Sequence, residues 1–155
     1  MESRTLTLPA PASLCSSGFR SRTEAVGGRL RPRANQRIRL LLADDHPFVR
    51  RGILCILERH PNLEVVGDAA DGQEALRKAR ELQPDVLMTD IDMPHLTGLA
   101  VTEALRKELP HIKVLILSMH ATTDYMLRCV QAGARGYVLK QASPDEFVRA
   151  IETVN

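Results

Sequence analysis

The sequence predicts a doubly wound α/β domain over residues 37–155, a five-stranded parallel sheet with helices on both faces. Three observations carry this. Apolar runs and amphipathic stretches alternate five times from Arg37 onward. The central runs are apolar on both faces, as a sheet covered on both sides requires. Prolines and glycines fall between the segments or at helix ends rather than inside them.

In chain order, Ile38–Ala43 (IRLLLA) is an apolar strand, and Pro47–Arg59 is a helix with Val49, Ile53, Ile56 and Leu57 on one face. Leu63–Ala69 is the second strand, followed by a helix over Gly72–Gln83 carrying Ala75, Leu76, Ala79 and Leu82. Asp85–Thr89 (DVLMT) is the third strand, and Thr97–Leu109 the third helix. Ile112–Ser118 (IKVLILS) and Thr123–Ala132 form the fourth pair. Gly136–Leu139 is the fifth strand, and Pro144–Val154 the last helix, with Phe147, Val148, Ile151 and Val154 at three- and four-residue spacing. Pro47 and Pro144 suit the first helical turn, where a missing N–H costs nothing. Pro61, Pro84 and Pro110 separate helices from the next strands. Gly133 suits a left-handed helix end, and Asp71 and Ser143 suit N-caps. Strand–helix alternation implies right-handed crossovers and a parallel sheet.

Composition fits such a domain. The 155 residues are 44% hydrophobic and 26% charged, with 3% aromatics and no Trp, so the core is aliphatic. The net charge of +2 is unevenly spread: residues 1–36 hold six Arg against two Glu, leaving the rest mildly acidic. That segment is rich in Ser, Arg, Gly and Pro without periodicity and reads as a disordered basic extension. It shares the Arg- and Ser-rich bias of an organelle transit peptide, and a misassigned start is a third reading. A basic tail can bind nucleic acid, but no aromatic platform accompanies this one. Three Cys (Cys15, Cys55, Cys129) without metal-type spacing fit a reduced, cytoplasmic chain. No run approaches the length of a membrane span.

In sheets of this kind ligands bind beyond the carboxyl ends of the strands. There the first strand is followed by Asp44-Asp45, the third by Asp90, the fourth ends in Ser118, and the fifth is followed by Lys140. Singly, each has a plainer reading: Asp44 and Asp45 cap the first helix, Ser118 caps the fourth, Lys140 lies on the surface. Together they interrupt apolar runs at equivalent points. Three converging carboxylates repel one another unless a cation intervenes. Mg2+ fits, because it takes one or two carboxylates, waters and phosphate oxygens. Lys140 suits a phosphate oxygen, Ser118 offers a hydroxyl to it, and Asp90, alone on the middle strand, is the natural nucleophile for an acyl phosphate.

ADDHPFVRRG, VLMTDIDMPHLTG, VLILSMH and AGARGYVLK resemble the receiver domains of two-component response regulators, over essentially all of residues 38–155. The detail is closest to the LuxR-type (NarL/FixJ-like) subfamily, in DDHP, LSMH and the run from Lys140 to Pro144. The resemblance implies a flavodoxin-like fold with strand order 2-1-3-4-5. It implies Asp90 as phosphoacceptor from a partner histidine kinase, and a signalling switch rather than an enzyme. Asp45 and Asp90 then resemble direct Mg2+ ligands, with Asp44 acting through water and the Asp92 backbone carbonyl as third protein ligand. Ser118 and Tyr137 resemble the switch pair and Lys140 the phosphate-binding lysine, while Asp92 and His120 match positions that tune the lifetime of the aspartyl phosphate.

Two departures stand out. Many receivers have a cis proline after the lysine, where this chain has Gln141, and a cis bond before a non-proline costs roughly 3 kcal/mol. LuxR-type regulators continue into a helix-turn-helix module, whereas this chain ends at Asn155. It therefore reads as a stand-alone receiver or a truncated transcription factor, with DNA binding only through an output domain and a phosphorylation-dependent homodimer as the family's expectation. The rival readings are a haloacid-dehalogenase-like phosphatase using Asp90 and Asp92, a phosphorylation-independent interaction module, and a flavin-binding domain, which Asp44-Asp45 would disfavour.

Overall fold

The computed structural model describes residues 36–155, together with the backbone of Leu6 and Thr7. The expected disorder of residues 1–36 otherwise lies outside the described residues.

The elements run β1 (Leu6–Thr7), β2 (Ile38–Ala43), α1 (Pro47–Leu57), β3 (Leu63–Ala69), α2 (Gly72–Leu82), β4 (Val86–Asp90), α3 (Gly98–Glu108), β5 (Lys113–Ser118), α4 (Thr123–Ala132), β6 (Gly136–Leu139) and α5 (Pro144–Val154). The sheet order is β1-β6-β5-β4-β2-β3. Strands β2 to β6 are mutually parallel, in the expected 2-1-3-4-5 order counted from Ile38. The sixth strand is an addition to that expectation: Leu6 and Thr7 pair antiparallel with Tyr137 and Gly136 on the outer edge of β6. Two residues carry no period, so no pattern in the sequence announces them.

The alternation of side chains along each strand sends them to two cores. Leu40, Leu42, Met88, Leu115, Leu117 and Val138 pack with Ile53 and Leu57 of α1 and Phe147 and Ile151 of α5. Leu41, Ala43, Leu87, Ile116 and Tyr137 pack with Ala75 and Ala79 of α2, Val101 and Leu105 of α3 and Cys129 of α4. Each fully buried aliphatic side chain contributes about 1.5–3 kcal/mol, so the two layers hold the sheet from both sides.

Local chemistry sets the element ends. Asp71 accepts the Glu74 amide, and Ser143 and Glu146 form a reciprocal capping box. Thr97 caps α3 by accepting the Ala100 amide, which moves the helix start to Gly98. Gln83 (φ 48°) and Gly133 (φ 104°) take the left-handed conformation that ends α2 and α4. Strand β4 begins at Val86 rather than Asp85, whose carboxylate instead accepts the Arg39 amide. No cis peptide occurs among the described residues, so the bond before Gln141 is trans.

Candidate active site at the carboxyl rim of the sheet

The chain leaves β2 for β3 on one side and returns to β4 on the other, so β2 and β4 diverge at their carboxyl ends. That is the crevice where a doubly wound sheet binds ligands. Asp44 and Asp45 follow β2 directly, and Asp90 closes β4. In the adjacent strand Leu117 pairs with Asp90, which sets Ser118 one residue further along the same rim. Ser118 in turn pairs with Leu139, so Lys140 leaves β6 at the same level.

The side chains meet as this register requires. The Lys140 Nζ lies 2.8 Å from Asp90 Oδ2 and 2.9 Å from Asp44 Oδ2. Asp44 is fully buried and the Lys140 side chain only 4% exposed. The plainer readings of these residues therefore fail. The N-cap of α1 is His46, not Asp44 or Asp45, that of α4 is Thr122, not Ser118, and Lys140 is not on the surface.

Electrostatics follow from two carboxylates, Asp44 and Asp90, sharing one lysine. Burial pushes the Asp90 pKa up, the Lys140 hydrogen bond and charge oppose this, and the Asp44 charge adds to it. For Lys140, burial works to lower the pKa but is outweighed by hydrogen bonds to Asp90 and Asp44 and by their charges, which leave it raised. Asp44 Oδ2 is buried with only the Lys140 ammonium against it, and Asp45 Oδ1 is buried with only the His46 ring nitrogen at 2.9 Å. Buried oxygens in this state are costly, and an oxygen-rich acidic set with spare lone pairs suits a hard divalent cation. The chain's own residues thus fit Mg2+.

The other expected positions make separate contacts. The Ser118 hydroxyl donates to the His120 carbonyl and accepts the His120 amide, each at 3.1 Å, which ties it to the loop after β5. Tyr137 is buried in the α2–α3–α4 core, and burial pushes its phenol pKa up. The Ser118 side chain is near that phenol but outside hydrogen-bond geometry, so the phenol oxygen has no partner. The Asp92 side chain is exposed in the loop after β4 and stands outside the carboxylate cluster; its expected contribution is the backbone carbonyl. His120 is exposed, with its ring stacked on Tyr125 at a centroid distance of 6.3 Å.

Sequence reasoning missed His46. Its Nδ1 lies 2.9 Å from Asp45 Oδ1, 3.1 Å from Asp44 Oδ1 and 3.8 Å from Asp90 Oδ2. The signal was its place directly after Asp44-Asp45, but a polar residue before Pro47 reads equally as loop. Arg50 was also passed over: its guanidinium donates to the Asp44 carbonyl at 2.6 Å and pairs with Asp68 at 2.9 Å, fixing the turn that carries the two acids.

Comparison with known proteins bears on this rim. The family model for the response regulator receiver domain matches residues 40–152. The transcriptional regulatory protein MctR of Rhizobium johnstonii is 45% identical over 118 residues, covering 76% of this chain and 55% of that protein. Response regulator GacA of Pseudomonas viridiflava is 44% identical over 117 residues, with 76% and 55% covered. Among solved structures, the signal receiver domain of the putative response regulator NarL from Mycobacterium tuberculosis is 33% identical with a TM-score of 0.74, covering 76% of this chain and 95% of that one. A LuxR-family two-component response regulator from Aurantimonas sp. is 39% identical with a TM-score of 0.73, covering 77% and 85%. The chain spans about half the length of the curated relatives it matches.

Proposed function

The chain belongs to the response regulator receiver family, of LuxR type, and from that premise we propose that it is a phosphorylation switch whose acceptor is Asp90. One observation carries the reading: a buried carboxylate at the topological switch point has Lys140 Nζ at 2.8 Å on one side and the acids Asp44 and Asp45 on the other. Residues 37–155 are read as the receiver and 1–36 as a basic extension preceding it.

The donor is a phosphohistidine of a partner kinase. A carboxylate oxygen of Asp90 attacks phosphorus in line, the O–P bond forms as the P–N bond breaks, and the kinase imidazole leaves. Asp45, Asp90 and the Asp92 carbonyl would hold Mg2+, with Asp44 acting through water, and the bound ion would supply neutralisation of the charge on the phosphoryl oxygens. Lys140 exchanges its contact with Asp90 Oδ2 for a phosphoryl oxygen and keeps its pairing with Asp44. Arg50 holds the Asp44 turn in place, and Asp44 and Asp45 keep the rim acidic until the cation binds.

The phosphoryl group brings about two negative charges. Ser118 gives up its bonds to His120 to reach it, and Tyr137, whose hydroxyl has no partner to lose, is free to follow. A nearly complete shift between two states needs about 5.5 kcal/mol of differential stabilisation. Two or three charge-assisted hydrogen bonds at about 1.5–3 kcal/mol each are enough. The chain is an acceptor with slow autodephosphorylation rather than an enzyme with turnover. The exposed, outlying Asp92 side chain disfavours the phosphatase reading, which needs that carboxylate at the reacting centre. The partners are a histidine kinase, a second copy on phosphorylation, and DNA only through an output domain of the kind carried by longer relatives. Cytoplasmic placement accords with this reading, and among the described residues no helix is long and apolar enough to cross a membrane.

Acetyl phosphate with Mg2+ should add one phosphoryl group to the wild-type chain, and beryllofluoride should bind it, with neither effect in Asp90→Asn. Labelling of that variant at the wild-type level would remove Asp90 as the acceptor. Asp45→Ala should lose Mg2+ affinity, and an unchanged affinity counts against the cation assignment.

A further inference from the structure

His46 is the residue at the acidic rim that the switch reading leaves unused. Its imidazole is 62% exposed, yet Nδ1 turns inward onto three carboxylates. One nitrogen or oxygen atom from each of Asp44, Asp45, His46 and Asp90 lies within 4.8 Å of the others. An ion with bonds of about 2.1 Å sets neighbouring octahedral ligands about 3.0 Å apart and opposite ones about 4.2 Å apart. The separations from Nδ1 of 2.9 and 3.1 Å are close to the neighbouring distance, and 3.8 Å lies between the two. The backbone is held for it as well, because the His46 amide donates to Asp44 Oδ1 at 2.8 Å. Asp44 is fully buried at the same centre, with Oδ2 held by Lys140 at 2.9 Å. Lys140 contacts Asp44 and Asp90 through their Oδ2 atoms, leaving Asp44 Oδ1 and Asp45 Oδ1 toward the histidine.

We propose that His46 supplies a nitrogen ligand to this pocket, so that it takes first-row transition-metal ions through a mixed carboxylate–imidazole set. The inference rests on the reading above that Asp45 and Asp90 hold a divalent ion. Magnesium gains little from an imidazole, because it prefers oxygen donors. Mn2+ and the later ions of the series gain more, since imidazole is a softer donor and affinity rises along the row. His46 therefore sets which divalent ion the rim prefers, while the acids set whether one binds at all. The ring's exposure leaves the remaining coordination positions open to water or to phosphoryl oxygens.

The test uses Mn2+ on the full chain, read by electron paramagnetic resonance. One equivalent of bound Mn2+ should show nitrogen modulation in its spin echo with the wild-type chain. In His46→Ser, whose serine is itself a good helix cap and guards the start of α1, the modulation should vanish. Mn2+ affinity should fall about tenfold there, the size of effect a lost ligand interaction gives, with Mg2+ affinity changed less than about twofold. Absence of nitrogen modulation in the wild type, or its survival in His46→Ser, overturns the proposal and leaves His46 as a hydrogen-bond donor only. A rise in Mg2+ affinity in His46→Ser overturns it too, since the ring would then block the cation. Asp45→Ala separates the two levels: if it binds Mn2+ as well as wild type, the cation site itself is misassigned and the histidine inference falls with it.

Discussion

Asp90 is an acid held where its charge is resisted. Burial raises its pKa, so it binds a proton more readily in the fold than in the unfolded chain. The sign follows by linkage. The protonated acid favours the folded state, and this contribution is lost as pH rises through the folded pKa. Asp90→Asn has no charge to resist, and Lys140 keeps Asp44 as a partner at 2.9 Å. In metal-free buffer the variant should therefore melt higher than wild type near about pH 7, each kcal/mol gained reading as roughly 4 °C, with the advantage shrinking toward about pH 4. Calorimetry across that range checks it; a variant that melts lower at neutral pH would mean the Lys140 pairing outweighs burial. The same residue shows why the site was legible in the sequence. Asp90, Ser118 and Lys140 each break an apolar run at its carboxyl end, and a polar residue at that point has only the rim to occupy. His46 carried no such mark: it follows two acids in a turn, and only the fold decides which way a turn residue faces.

At the scale of elements, boundaries were read to within one or two residues, and the differences trace to single groups. Thr97 spends itself as a cap and so stands outside α3, and Gln83, in a left-handed conformation, stands outside α2. Helix α5 is fixed by a capping box in which Ser143 accepts the Glu146 amide and Glu146 accepts the Ser143 amide at 2.7 Å. Ser143→Ala should cost about 1 kcal/mol, read as a lower denaturant midpoint with an unchanged slope. The start of α3 is tighter. A Cβ placed on Gly98 would stand 1.9 Å from the carbonyl oxygen of Asp90, so the helix lies directly on the backbone of the acceptor. Gly98→Ala should cost about 3 kcal/mol, because overpacking here is met by backbone rather than a movable side chain. It should also slow acetyl phosphate labelling by displacing Asp90. A fully active, fully stable Gly98→Ala protein would show that the two elements part without consequence.

For the whole molecule, the parallel sheet with its two aliphatic layers was legible because strands buried on both faces and helices buried on one leave different spacings of apolar residues. The edge strand β1 was not, since pairing between backbones needs no particular side chains. Its position has a kinetic consequence. Thr7 pairs with Gly136, which lies far along the sequence beyond β2, β3, β4 and β5. During synthesis Leu6 and Thr7 emerge before β2 to β5 and can pair only once β6 has followed them. A contact closed over so long a loop carries a large entropic cost, so it is expected to form late on the path, after the rate-limiting step. Removing residues 1–8 should accordingly leave the refolding limb of a stopped-flow chevron where it is and raise only the unfolding rate. Strand β1 would then act as a latch on the folded domain, with no part in building it.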